Sequence, residues 1–348
     1  MADHPLTDGR WRFKSVSTLL EGDLVMELWQ LKKLQKLPLE KKIELSKQYI
    51  REWYEHYDGK VYVSFSGGKD STVLLHLVRS LYPDVPAVFA DTGLEFPEIK
   101  EFVESVENVV CLQPEMNFRE VIEKYGYPVI GKEQSEWIHR IRLGNPDVVR
   151  QKYHGIMPDG RRTRFKLSRQ WRYLIDAPFK IGAGCCMEMK RKPMKKYVEE
   201  TGRVPIIGTM AAESKLRTQQ VLKCGCNSYD AKKPASKPLS FWLECAVWEY
   251  IRQFNVAYSK IYDMGYDRTG CAFCMFGAHL DGEPTRFQRM QITHPELWRF
   301  CMRDWEAGGL GLRRVLEYIG IPYEAYRIGE RKDGSKKDRG GEAESGGI

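Results

Sequence analysis

The 348-residue chain has no uninterrupted apolar run near the roughly 20 residues that a membrane-spanning helix needs, which argues against a membrane partner. Its first residues, Met1-Ala2-Asp3-His4-Pro5, lack the basic stretch and apolar core of a secretory leader. A cytoplasmic, reducing setting is therefore expected. There is no internal repeat, no Walker spacing G-x-x-x-x-G-K-[ST], and no cysteine after Cys301. Hydrophobic content of 42% and charged content of 29% are ordinary for a globular protein of one large domain or two modest ones.

One stretch stands out among what is present. Ser66-Gly67-Gly68-Lys69-Asp70-Ser71 follows the apolar run Val61–Phe65, which reads as a buried strand. It precedes Thr72–Val78, which reads as a helix with its apolar face inward. Two glycines let the main chain approach a ligand closely. The first helix amides have no internal partner, and the aligned peptide dipoles add positive charge there. Phosphate or pyrophosphate is the expected guest. A plain strand–turn–helix connection with Asp70 or Ser71 as cap is the bland alternative.

Nine cysteines in a presumed reducing setting argue for metal or catalysis rather than disulfides. They cluster as Cys185-Cys186, Cys224-Gly225-Cys226 and Cys271-Ala272-Phe273-Cys274. Cys111, Cys245 and Cys301 stand alone in apolar surroundings and read as small core residues. Net charge is +8, and residues 131–203 alone carry 18 Lys/Arg against 8 Asp/Glu. One basic segment on a near-neutral body suggests a polyanionic partner or substrate.

Residues 1–55 read as an N-terminal helical region, with a helix over Leu39–Tyr54. From 56 to 290 strand and helix alternate, with strands at Val85–Ala90, Asn108–Leu112 and Val204–Thr209. This order predicts an α/β fold, a parallel twisted sheet flanked by helices. Ligands gather at the carboxyl ends of such strands, where Ser66–Ser71 and Asp91-Thr92-Gly93 fall. Residues 126–180 lose clean periodicity and read as a basic, aromatic insertion packed beside the sheet. Residues 291–327 read as a C-terminal helical region and 328–348 as a disordered tail.

The hexapeptide Ser66–Ser71 resembles the pyrophosphate loop (PP-loop) of the N-type ATP pyrophosphatases and adenylyl-sulfate reductases. Phe89–Pro97, Cys185–Met194, Gly208–Arg217, Pro238–Ile251 and Gly270–Cys274 resemble, in order, segments of the phosphoadenosine phosphosulfate reductase superfamily. The resemblance covers about residues 60–280 and implies the adenine nucleotide alpha hydrolase-like (HUP-type) fold. Cys185, Cys186, Cys271 and Cys274 resemble the [4Fe-4S] ligand set of adenylyl-sulfate reductases and of DndC-type DNA phosphorothioation proteins. Four thiolates suit an iron–sulfur cluster or a tetrahedral zinc, and adjacent cysteines suit the cluster better. Cys224 and Cys226 are a rival pair on what reads as an exposed loop.

The resemblance implies roles for particular residues. The amides of Ser66, Gly67, Gly68, Lys69, Asp70 and Ser71 would hold pyrophosphate, with Lys69 neutralising its charge. Asp70 would position Mg²⁺ or act only as a cap. Asp91, Thr92 and Gly93 would line the nucleotide site, and Glu213, Ser214 and Arg217 would close its far side. Sulfonucleotide reductases carry a nucleophilic cysteine near the C-terminus, which this tail lacks. The departure favours a DndC-like ATP pyrophosphatase in sulfur transfer, with DNA as acceptor and a cysteine desulfurase as partner. A reductase of adenylyl sulfate, a transfer-RNA thiolation enzyme and a non-catalytic nucleotide-binding subunit are the alternatives. The basic segment 131–172 offers cations for phosphates and rings for stacking, unless it is a solvated face or a pocket for one nucleotide's phosphates.

Overall fold

A computed structural model of the chain describes residues 26–229 and 231–325. The start of the expected N-terminal helical region and the tail from 328 lie outside the described residues. The strands are β1 (Val61–Ser64), β2 (Ala87–Ala90), β3 (Val109–Leu112), β4 (Val129–Ile130), β5 (Val204–Ile207), β6 (Asn227–Ser228), β7 (Ala235–Ser236) and β8 (Met275–Phe276). The helices begin with α1 (Leu28–Gln35), α2 (Leu39–His56), α3 (Lys69–Arg79), α4 (Pro97–Glu104), α5 (Phe118–Tyr125), α6 (Lys132–Arg142) and α7 (Pro146–Val148). They continue with α8 (Lys192–Thr201), α9 (Lys215–Cys224), α10 (Glu244–Gln253), α11 (Arg286–Thr293), α12 (Pro295–Met302) and α13 (Leu312–Ile319). Among the described residues no helix is long and apolar enough to cross a membrane. The chain divides into two compact units, Met1–Gly126 with Ala183–Cys274, and Tyr127–Gly182 with Met275–Ile348.

The first unit is an α/β fold around a six-stranded sheet of order β3-β2-β1-β5-β7-β6. Every pairing is parallel except β6 with β7 at one edge. Central strands of a parallel sheet are covered on both faces, so they need continuous apolar runs rather than alternation. β1 meets that demand, with Val61, Tyr62 and Val63 all buried. α2 is amphipathic and buries Ile50 and Trp53 completely. Its Ser46, also fully buried, donates to the Pro238 carbonyl at 2.9 Å and accepts from Trp242 Nε1 at 2.9 Å. One hydroxyl thus ties α2 to the turn that follows β7.

Three cysteine expectations are corrected here. Cys111 is exposed because β3 is an outer strand of the sheet. Cys245 is exposed because α10 buries Ala246, Val247, Tyr250 and Ile251 and turns residue 245 off that face. Cys301 is buried as expected. The Cys224–Cys226 segment is not an exposed loop. Cys226 is buried with its sulfur 3.0 Å from Ser240 Oγ, and the next two residues form β6.

The second unit joins β4 to β8 in parallel, Val129 facing Met275 and Ile130 facing Phe276. The basic segment therefore shares a unit with α11–α13. α6 buries Ser135, Trp137, Ile138 and Ile141. A 3-10 helix, Arg169–Asp176, ends here, and Arg142 ties down its last carbonyls and the residues after them. Its guanidinium donates to the carbonyls of Leu174, Ile175, Ala177 and Phe179 at 2.6–3.0 Å. Two rings of the basic segment are closed to stacking. Trp137 is buried with Lys152 above it, and Tyr153 is covered by Arg172 at 4.2 Å.

Ser46→Ala leaves the Pro238 carbonyl and the Trp242 indole without their partner. An unsatisfied buried group costs about 1–3 kcal/mol, so a loss of roughly 2–5 kcal/mol is expected in urea unfolding. An unchanged midpoint would show that α2 is not held through this hydroxyl.

Candidate active site

All of the site geometry belongs to the first unit. β1, β2 and β5 are parallel neighbours, so the loops after them open on one edge of the sheet. The loop after β1 is closed by a side chain. Ser71 Oγ accepts from the Ser66 amide at 3.1 Å and donates to the Gly68 carbonyl at 2.9 Å. Gly67 has φ +69, and a Cβ there would meet Ile99 Cγ2 of α4 at 2.9 Å. A Cβ at Gly68 would collide with Thr269 Oγ1. Both glycines are thus demanded by geometry, one by its backbone angle and one by close approach.

The loop presents donors. The amides of Gly67, Asp70 and Ser71 have no hydrogen-bond partner among the described residues. The amide of Lys69 is taken by the Tyr262 hydroxyl at 2.8 Å. The Lys69 ammonium is buried and lies 3.0 Å from both the Asp267 carbonyl and Glu244 Oε1. Gly68 and not Asp70 or Ser71 is the cap of α3, and no side chain performs capping. Asp70 Oδ1 is buried without a hydrogen-bond partner. Burial holds the Asp70 carboxyl above its ordinary range, against the opposing pull of Lys69. An orphaned carboxylate oxygen beside an anion loop is the kind of ligand Mg²⁺ takes, so this residue fits that ion.

The other expected residues surround the loop. Gly208 follows β5, and a Cβ on it would meet the Asp70 carbonyl oxygen at 3.0 Å. Ser214 caps α9 by accepting from the Arg217 amide at 3.2 Å, and Arg217 is ion-paired with Glu213. The charge of Arg217 reaches Asp70. Thr92 and Gly93 spend their polar groups on their own turn, while Asp91 also pairs with Lys100 of α4 and donates its amide to the Leu112 carbonyl. The Gly93 amide donates to Asp91 Oδ1 at 3.1 Å, and the Thr92 hydroxyl donates to Glu95 at 2.8 Å.

A cavity of about 150 Å³ opens between the ends of β1 and β2. Ser66, Ala90, Glu95, Lys190, Thr269 and Gly270 contribute to its wall. Lys190 and Gly270 adjoin the two cysteine segments. Just before the first pair, Gly184 lets the main chain lie against the Tyr125 ring, whose hydroxyl donates to Glu188 at 2.5 Å. Among the described residues no three His, Cys, Asp or Glu side chains close around one point as a single-ion site does. The four cysteines are nevertheless electrostatic neighbours. A hydrogen bond with Cys186, then burial, then Cys274 and Cys271 push the Cys185 thiol far above its usual range. Burial pushes Cys271 up to about 11. Burial would lower the Lys190 ammonium, but Cys271, Glu95 and Cys186 outweigh it and leave it raised. Four neighbouring thiols with a half-exposed cation against one of them fit a thiolate-ligated group of net negative charge, as an iron–sulfur cluster is.

Comparison with known sequences settles the family. A model of the phosphoadenosine phosphosulfate reductase domain matches residues 60–154 and 157–276, well over half of the chain. The chain belongs to that family. An uncharacterized protein of Methanocaldococcus jannaschii is 29% identical over 267 residues, 74% of this chain and 43% of that protein. Adenosine 5'-phosphosulfate reductase 2 of Bacillus subtilis is 27% identical over 237 residues, 65% of this chain and 77% of that protein. The chain spans about half the length of the archaeal relatives it matches. The phosphoadenylyl-sulfate reductase of Candida auris, solved as a phosphate complex, aligns with a TM-score of 0.41 at 17% identity, covering 72% of this chain and 98% of that one.

Sequence reasoning missed Glu95, Lys190, Glu244 and Tyr262 as site residues of this family member. Lys190 sits within the basic run after Cys186, which is the one signal that could have found it. Tyr262 and Glu244 lie far from the loop in sequence and meet it only through the fold. Tyr262→Phe frees the Lys69 amide. A net hydrogen bond is worth about 0.5–1.5 kcal/mol, so inorganic pyrophosphate is expected to bind about 2- to 10-fold more tightly by calorimetry. Unchanged affinity would show that this amide is not an anion donor.

Proposed function

We propose that this protein cleaves ATP to AMP and pyrophosphate in order to activate an acceptor oxygen for replacement by sulfur. The observation that carries the reading is the cavity shared by the anion loop, at Ser66, and by the neighbours of the cysteines, Lys190 and Gly270. The free amides of Gly67, Asp70 and Ser71 hold the departing pyrophosphate, and Lys69 exchanges Glu244 for it. Asp70 holds Mg²⁺ through its unpartnered oxygen. The acceptor oxygen attacks the α-phosphorus and pyrophosphate leaves. A sulfide equivalent then attacks the activated centre and AMP leaves with the oxygen, so no net oxidation occurs. Positioning and charge stabilisation supply most of such a displacement.

Cys185, Cys186, Cys271 and Cys274 hold a [4Fe-4S] cluster in this reading, with Lys190 balancing its charge. When bound, the cluster would supply a fixed electrostatic wall. The acceptor proposed is nucleic acid, as in DNA phosphorothioation, and a cysteine desulfurase is the proposed sulfur source. The relatives named as adenosine 5'-phosphosulfate reductases support a second reading, reduction of adenylyl sulfate. Against it stands Cys301, the last cysteine. It is fully buried, and burial pushes its thiol up to about 12, so it is a poor nucleophile.

The test is anaerobic purification with iron and sulfide quantitation, followed by α-labelled ATP with Mg²⁺. About four irons per chain with AMP and pyrophosphate release are expected. Lys69→Ala is expected to lower turnover about 10²–10³-fold, in line with loss of one preorganised charge-stabilising group. Cys185→Ser is expected to lower the iron content. Thioredoxin-dependent sulfite release from adenylyl sulfate, without ATP cleavage, would replace this reading with the reductase.

A further inference from the structure

We infer that the arginine-rich face of the second unit is a binding surface for single-stranded nucleic acid. The inference names the acceptor class in the function proposed above, but the surface is argued from its own residues. Between 131 and 172 the chain carries eight arginines and three lysines against four carboxylates. The fold consumes two of the arginines. Arg142 binds four carbonyls, and Arg172 donates to the Tyr153 carbonyl at 3.0 Å while covering the Tyr153 ring. The other six, Arg140, Arg150, Arg161, Arg162, Arg164 and Arg169, are exposed. Asp159 pairs with Arg161. The remaining five make no ion pair among the described residues.

Their backbone is held in place. Ile156 and Arg162 face each other in an antiparallel bridge, and the Met157 amide donates to the Arg161 carbonyl at 2.8 Å. The Thr163 amide donates to Gly155, and the Leu167 amide reaches back to Lys152 at 2.7 Å. Gly155 has φ +75, and a Cβ there would meet the Thr163 carbonyl at 2.9 Å. A tight hairpin therefore displays Arg161, Arg162 and Arg164. Beside it, Arg140 and Arg150, with Asn145, Gln151, Ile156 and one carboxylate, Asp147, contribute to the wall of a cavity of about 200 Å³.

Like charges held this close destabilise a fold unless something of opposite charge meets them. Guanidinium forks match phosphate oxygens in pairs, which ammonium groups do not. A chain that merely needed a solvated face would interleave lysine and glutamate. The choice of a single strand follows from Phe165. It is 70% exposed between Arg164 and Lys166, and its amide is fixed by the Thr163 hydroxyl at 3.1 Å. Rings covered by the chain's own cations are closed to bases, whereas this one is open. A cation-flanked open ring is a stacking platform, and only an unpaired base offers it a face.

The experiment uses the full chain and a 20-nucleotide fluorescein-labelled single-stranded DNA, read by anisotropy across a potassium chloride series. The variants are Arg150→Ala/Arg162→Ala/Arg164→Ala, Phe165→Ala and, as a basic-surface control, Lys195→Ala/Lys196→Ala. Unchanged melting temperatures establish that each is folded. The triple variant is expected to weaken binding and to flatten the log K against log [salt] slope by about 2, from about 0.7 per phosphate contact on single strands. Phe165→Ala is expected to weaken binding about 5- to 150-fold, the range of one lost base stack. An equal loss in the lysine control, or a duplex of the same sequence binding as tightly with Phe165→Ala silent, overturns the inference. Single-stranded RNA in the same assay, bound or not, reads whether the sugar hydroxyl matters. RNA binding with no DNA binding keeps the surface and overturns the DNA acceptor. Lys69→Ala is expected to bind the oligonucleotide like the wild-type chain, so failure of ATP cleavage and failure of this surface are read separately.

Discussion

The site rests on the crowding of one strand-to-helix junction. Between β1 and α3 the main chain has no room for a Cβ at Gly67 or Gly68. α4 presses on Gly67, Thr269 presses on Gly68, and Gly208 at the end of β5 touches the Asp70 carbonyl. The Ser71 hydroxyl then closes the loop from inside, accepting from one amide and donating to one carbonyl. Four separate parts of the first unit thereby agree on the position of about six backbone atoms. A loop held this way has its amides oriented before any ligand arrives, which is what preorganised anion binding requires.

The cations of the site obey a common arrangement. Lys69 lies against Glu244, Arg217 against Glu213, and Lys190 near Glu95. Burying a lone cation is costly, and the buried one, Lys69, has a carboxylate to offset it, while Arg217 and Lys190 are half-exposed beside theirs. Glu244 is largely exposed while Glu95 is buried, so the first pair exchanges partners more cheaply than the third. The loop end thus holds a buried cation beside an exposed carboxylate that an arriving phosphate displaces, and the cysteine end holds a half-exposed cation beside a buried carboxylate.

Much of this was legible in the sequence. The strands were readable because β1 and β2 are buried over three of their four residues and mostly apolar, and β5 is apolar although only its Ile206 is buried. The loop was readable because its glycines and serines are required locally. Cys111 and Cys245 were misread because apolar neighbours in sequence do not reveal which strand is an edge or which side of a helix faces out. Cys226 was misread for the opposite reason. Its polar neighbours Asn227 and Ser228 form an edge strand, and Ser240 satisfies the buried thiol from outside the segment. Tyr262 and Glu244 reach Lys69 across more than 170 positions, a distance that no local pattern encodes. The aromatic reading of 131–172 failed in detail because cations of the same segment fold back over its rings.

Arg142 has a wider meaning for the second unit. Its four acceptors are all main-chain carbonyls, so the path of residues 174–179 depends on one side chain elsewhere as well as on their own buried Leu174 and Ala177. Such a segment is sensitive to substitution at its buried positions and also at a single distant one. A lysine at 142 would keep the charge and lose the planar fork that reaches four oxygens at once. Part of the information that shapes this stretch is thereby stored outside it, in one guanidinium.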